Sequence, residues 1–156
     1  MATAVKSPLS DQARKTTGEA LQGSVVDLID LSLQAKQAHW NLVGRNFRSL
    51  HLQLDEVVSS ARAHTDTCAE RAITIGVNPD GRAQTVSEKS KSPHVDPGYI
   101  QDDKVIAAFI DILFSVTERL RKRIRETAET DPVTENLLED IVHDLEKHLW
   151  MFQAQQ

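Results

Sequence analysis

Five side chains, His39, His51, Asp55, Asp66 and Glu70, lie close enough in sequence to act on one substrate. Imidazole and carboxylate groups together form a donor set for a metal ion. His51/Asp55 and Asp66/Glu70 are each spaced i,i+4, the separation at which two side chains of one helix reach the same ion. At 100° per residue, Asp55 lies about 40°, Asp66 about 60° and Glu70 about 100° round from His51, so all four share one helix face.

Distance along the helix sets the constraint. Asp55 and Asp66 are eleven residues apart, a rise of about 16 Å. Ligands sit roughly 2 Å from a metal, and two cooperating metals about 4 Å from each other. One chain therefore cannot bring both pairs to one centre. A second copy, antiparallel across a two-fold axis, places Asp66 and Glu70 of one chain opposite His51 and Asp55 of the other, with His39 completing the histidine half. The competing reading is plain. Polar residues beside an apolar stripe are ordinary solvated side chains, and a lone histidine on an apolar face is ordinarily a hydrogen-bonded core residue. Glu-x-x-His, the repeated motif of bundles that hold two metals inside one chain, occurs nowhere.

Four amphipathic segments must position these residues. Leu21, Val25, Leu28, Ala35 and Leu42 keep a three-four spacing, with Ser32 and His39 on the same stripe and Val43-Gly44 as the expected end. A second helix is expected over Phe47–Ile75, with Phe47, Leu50, Leu54, Val57, Ala61, Cys68, Ala72 and Ile75 facing inward. A third starts near Asp103 on Ile106, Phe109, Leu113, Val116, Leu120 and Ile124. A fourth follows Thr130-Asp131-Pro132 on Leu137, Ile141, Leu145, Leu149 and Phe152. The first and last connections are short, so each joins antiparallel neighbours. The stretch between Gly76 and Asp102 is long enough to run the length of a bundle, and Gln84 to Ser90 reads as a short helix within it. The expected fold is all-α: a ferritin-like four-helix bundle over 16–156, with residues 1–15 as a partly flexible tail.

Composition narrows the function. Twenty-three acids against eighteen bases give a net charge of −5, which argues against a surface built for phosphate and fits a protein that attracts cations. A single cysteine, Cys68, excludes an internal disulfide and fits a reducing compartment. The first twenty residues show no apolar leader core, and no apolar run approaches the length of a membrane span. The expectation is a cytoplasmic protein without a membrane partner; nucleoid association stays open.

HWNLVG, then F, LH, LDE and the D-x-x-x-E of DTCAE resemble the Dps family, the twelve-subunit mini-ferritins, over about Leu21 to Phe152. The resemblance implies a ferroxidase centre between two-fold-related subunits: His39, His51 and Asp55 from one, Asp66 and Glu70 from its neighbour. It also implies oxidation of Fe(II) with hydrogen peroxide or dioxygen, storage of ferric mineral inside a hollow homo-dodecamer, and protection against oxidative damage. By the same resemblance Trp40 stacks near the centre or takes up an oxidising equivalent, with interface packing as the alternative. Glu56 is a candidate for mineral nucleation against a simple solvated acid.

Many members also bind DNA through basic tails. Before the core this chain offers Lys6, Arg14 and Lys15, and MFQAQQ at the other end has no base, so DNA binding is disfavoured. The run RLRKRIRE, Arg119 to Glu126, is basic but reads as a solvated helix face. Asp131, Glu135, Glu139, Asp140 and Asp144 are candidates for a carboxylate-lined iron access pore, although helix-dipole acids account for the first two. Asp140/His143 and Asp144/His148 are weak candidates for a further metal, lacking an evident third ligand. Cys68 reads as a core residue. The rivals are a DNA-coating nucleoid protein and a bundle of purely structural role.

Overall fold

The structure is a computed structural model that describes residues 5–156. The long helices are α1 (Asp11–Asn41), α2 (Phe47–Thr74), α4 (Asp102–Thr127) and α5 (Pro132–Gln153), with a short α3 (Ala83–Lys89) in the crossover. α1 packs along α2 and α4 along α5, while α1–α4 and α2–α5 contacts join the two hairpins. This is the all-α, ferritin-like arrangement expected from the connection lengths, and α3 sits within one residue of the expected short helix at each end.

Local chemistry sets the ends. Ser10 caps α1 by accepting from the Ala13 N–H at 3.2 Å, so residues 11–15, expected in the tail, are already helical. Residues 1–4 of that tail lie outside the described residues. At α5, Asp131 occupies the N-cap position and Pro132 the first helical one, where a missing N–H costs nothing.

α1 stops two residues earlier than Val43. Leu42–Val43 (β1) instead pairs in parallel with Ile100–Gln101 (β2), Leu42 opposite Ile100. This two-residue bridge brings the α1–α2 turn beside the start of α4. Gly44 has φ +133°, and an added Cβ there would meet the Asp102 carboxylate, so a side chain is doubly disfavoured. Asp102 accepts the Asn46 N–H at 2.9 Å. That bond, opposed by partial desolvation, holds its carboxyl below the usual range.

The core runs between the helices on Leu21, Leu28, Leu31, Leu50, Leu54, Ile112, Leu113, Leu120 and Ile75, all almost solvent-free. Phe109 and Phe152 stack across it, ring centroids 5.4 Å apart. Cys68 is fully buried, and desolvation pushes its thiol up to about 12. Phe47, expected inside, is instead 44% exposed. It stands at the first residue of α2, beyond the reach of the facing hairpin, and covers a histidine ring.

Polar clasps hold the crossover. Gln22 of α1 donates to the Asp80 carbonyl at 2.9 Å and accepts the Asp80 N–H at 2.8 Å. Ser90 donates to Asp30 at 2.7 Å, and Gln34 accepts the Val95 N–H at 2.8 Å. Because that bond fixes the Gln34 oxygen as acceptor, its amide nitrogen is the donor facing His94 Nδ1 at 2.6 Å. Beneath them Asp27, almost fully buried, accepts from Arg119 and Arg123 of α4, and Arg119 also donates to Ser92 at 2.7 Å.

Candidate metal centre

His39 lies in the last turn of α1 and His51 in the second turn of α2, so the tight turn between the helices brings the rings together. They stack with centroids 3.6 Å apart at 18°. Phe47 lies on the other face of His51 at 5.0 Å. Each histidine is tied to the other's backbone: His39 Nδ1 to the His51 carbonyl at 2.8 Å, and His51 Nδ1 to the His39 carbonyl at 2.9 Å. A carbonyl can only accept, so both Nδ1 atoms carry hydrogen and a neutral ring presents Nε2 as a bare lone pair. Anchoring one ring nitrogen on a backbone carbonyl is the outer-shell arrangement that orients metal-binding histidines.

Asp55, one turn beyond His51, sits beside this pair with Oδ1 3.5 Å from His39 Nδ1. It accepts from Lys36 Nζ, one turn before His39 on α1. This hydrogen bond, with the nearby imidazoles adding to it, keeps the Asp55 carboxyl below the ordinary range. Lys36 is a neighbour of these candidate residues that spacing did not reveal. Its place three residues before His39 on the same helix side was the available signal.

Asp66 and Glu70 lie farther along α2 and are exposed. Among the described residues no group of three histidine, cysteine, aspartate or glutamate side chains is arranged to hold a metal ion. One chain brings His39, His51 and Asp55 together and leaves Asp66 and Glu70 apart. Trp40 is 68% exposed, with Leu33 seven residues earlier 55% exposed on the same side of α1. Glu56 is exposed on α2.

Other expectations resolve differently. Asp131 is buried, pairing with Arg71 at 2.6 Å and accepting from Thr134, so it is an internal anchor of α5 and not a pore acid. Burial raises its carboxyl, but Arg71 and Thr134 outweigh that and hold it low. Glu139 and Asp140 are exposed on α5, and Glu135 is half-buried. Asp144 does not pair with His148; it bonds His64 of α2 at 2.8 Å, while His148 bonds Ser60 at 2.9 Å. These four side chains tie α2 to α5, which accounts for His64, a residue with no role assigned from sequence. The basic run is spent internally. Arg119 and Arg123 turn inward onto Asp27, Arg121 pairs with Glu146, and Lys122 with Glu126 at 3.5 Å.

The fold defines a ferritin-like protein, and residues 18–156 match the family model for the ferritin-like domain. DNA protection during starvation protein 2 of Deinococcus radiodurans is 35% identical over 140 residues; the match takes in 90% of this chain, which spans 58% of that relative's length. DNA protection during starvation protein of Agrobacterium fabrum is 33% identical over 150 residues, covering 96% of this chain and 93% of the relative. The solved structure of Mycobacterium smegmatis Dps superposes with a TM-score of 0.93 at 29% identity, over 99% of this chain and 94% of that one. The chain belongs to the Dps family.

Proposed function

We propose that this protein oxidises and stores iron, with Fe(II) as substrate and an oxidation site shared by two chains. The observation that carries it is the reciprocal lock between His39 and His51. Two backbone carbonyls hold both rings in the tautomer with Nε2 free, beside the Asp55 carboxylate that accepts from Lys36. Such a donor set fits iron. It is half a centre, and Asp66 and Glu70 supply the missing half when a second copy lies antiparallel across a two-fold axis. Trp40, next to His39, and Leu33 on the same side of α1 are exposed apolar residues, and covering by a second chain would bury them.

In this reading His39, His51 and the neighbour's Glu70 hold one Fe(II), and Asp66 with a bridging carboxylate holds a second. Each ion gives up one electron; hydrogen peroxide takes both, its O–O bond breaks, and the two oxygens leave as hydroxide or water. Peroxide consumed this way yields no free hydroxyl radical. Ferric product then collects inside a closed shell of twelve copies, an arrangement the family membership supports. The names of the relatives speak of DNA protection, and removing Fe(II) and peroxide together would provide it chemically. Coating of DNA is the weaker reading, because four of the five bases in the Arg119–Glu126 run are paired with acids of the same chain.

The test is anaerobic Fe(II) loading followed by hydrogen peroxide, read as ferric absorbance on assemblies sized in parallel. Fast oxidation by the wild type should be lost in Asp66→Ala/Glu70→Ala and in His51→Ala. Co-assembly of the two inactive variants should restore part of the rate, since a mixed two-fold pair rebuilds one complete site. Equal slow oxidation by wild type and variants would overturn the ferroxidase reading. Loss in each variant without rescue on mixing would overturn the sharing of the site.

A further inference from the structure

A cleft of about 670 Å³ opens on the opposite side of α1 from the histidine pair, walled by α1, the crossover and α4. Its size falls in the range of small-molecule sites, and its charge is out of keeping with the chain. Six cations line it, Arg14, Lys15, Lys89, Lys91, Arg119 and Arg123, against Glu19, Asp27 and Asp80, although the whole chain carries −5. The acids are largely spoken for. Asp27 is held by Arg119 and Arg123, and Asp80 by Arg82. Lys15, Lys89 and Lys91 are exposed and form no ion pair among the described residues, leaving Glu19 as the one unpaired acid facing them.

Arg123 sits at the floor. Its side chain is 15% exposed, and among the described residues only its Nη1 is bonded, to Asp27 at 2.6 Å. A Cβ added at Gly23 would meet Nη2, Nε and Cζ at 2.7, 2.8 and 2.9 Å. Near-equal distances to three atoms of the plane mean that the guanidinium lies flat on the glycine. The Nε/Nη2 edge is the one nearest the glycine, but neither nitrogen is bonded among the described residues and neither is among the buried polar atoms lacking a partner, so that edge keeps some exposure to the cleft. Asp27 and Gly23 together hold a fork of N–H donors, the geometry that suits bidentate recognition of phosphate. Val26 and Val77, with the stems of the basic side chains, make most of the remaining lining apolar.

We propose that this cleft binds a small phosphate ester with an apolar body, of the nucleoside phosphate class. The phosphate meets the Arg123 edge and the lysines of the crossover, and the ring lies on the aliphatic wall. The inference is independent of the iron reading and uses none of its residues.

The test is calorimetric titration of ATP into the iron-free assembled protein, with tripolyphosphate and adenosine as separate probes. Saturable binding of one ATP per chain is expected, weakened at least tenfold in Lys89→Gln/Lys91→Gln, whose side chains are exposed and whose loss leaves the core untouched. Arg123→Lys, which keeps a charge against Asp27 but lacks the free edge, should weaken it as well. Adenosine should give no heat of binding, and tripolyphosphate should bind more weakly than ATP. Absence of saturable ATP binding, or equal binding by the lysine double variant, overturns the proposal. Tripolyphosphate binding as tightly as ATP removes the apolar body from the assignment. Retention of duplex DNA that depends on Lys89 and Lys91 and is indifferent to ATP gives the cleft to a polymer and overturns the small ligand.

Discussion

Asp27→Asn should destabilise the chain more than any other single isosteric change on α1. The carboxylate is 2% exposed and accepts from Arg119 Nε at 3.1 Å and Arg123 Nη1 at 2.6 Å. The amide keeps the shape but removes the charge, and it turns one acceptor into a donor facing a guanidinium. Two cations, their side chains 21% and 15% exposed, are then left against an uncompensating wall. Breaking a buried pair in this way costs about 3–5 kcal/mol. Partial exposure lets both guanidinium groups recover some hydration, so the lower end, about 3 kcal/mol, is the expected value. At about 2–4 °C per kcal/mol for a chain of this size, the melting temperature should fall by roughly 6–12 °C. Scanning fluorimetry of iron-free wild type and variant, at matched concentration, reads the shift. Asp11→Asn is the control, because its carboxylate is 94% exposed beside Arg14 and should move nothing measurable. A shift of Asp27→Asn no larger than that control would refute the argument that the pair is effectively buried.

Two further outcomes follow from the same reasoning. Burial holds His148 below its ordinary 6.5, although Asp144 and Glu56 pull the other way and Lys147 and His64 add to the depression. The unfolded chain thus takes up a proton that the folded chain resists; the associated stability is complete above pH 6.5 and declines as the pH falls from there toward the folded value. His148→Gln should flatten the urea midpoint between about pH 7 and pH 5.5, and an unchanged pH dependence would exclude His148 as its source. Lys36→Met should tighten Fe(II) binding by about two- to tenfold in competition with a chromophoric chelator, because the ion no longer displaces an ammonium from Asp55; weaker binding would mean that Lys36 assists the site.

Much of the fold could be read from residue spacing because burial in a helical bundle imposes its own period. Leu50, Leu54, Val57 and Ala61 follow that period, and all are solvent-free. The meeting of His39 and His51 was legible for a related reason: a short turn between helices forces them into one neighbourhood. Phe47 misled because its spacing fits the stripe while its position at the helix start takes it past the core. What stayed hidden depends on partners distant in the chain. Nothing near Asp27 announces Arg123, ninety-six residues away, and nothing near Asp131 announces Arg71. The β1–β2 bridge is two residues long, too short to impose an alternation. The basic run looked solvated because charge sign carries no information about which arginines turn inward.

The crossover differs from the rest of the molecule in what restrains it. From Val77 to Gln101 only Val86 and Ser92 are buried; Val77, Val95 and Ile100 pack only partly against the core, and much of the attachment to α1 and α4 runs through hydrogen bonds to Gln22, Asp30, Gln34 and Arg119. Such bonds are exchanged for water at small net cost, whereas opening a helix pair exposes leucine. The crossover should therefore open at a lower free energy than the long helices, and hydrogen exchange should find its amides exchanging while those of the helices stay protected. It also forms one wall of the basic cleft, so a cleft ligand would have to order the segment expected to open first.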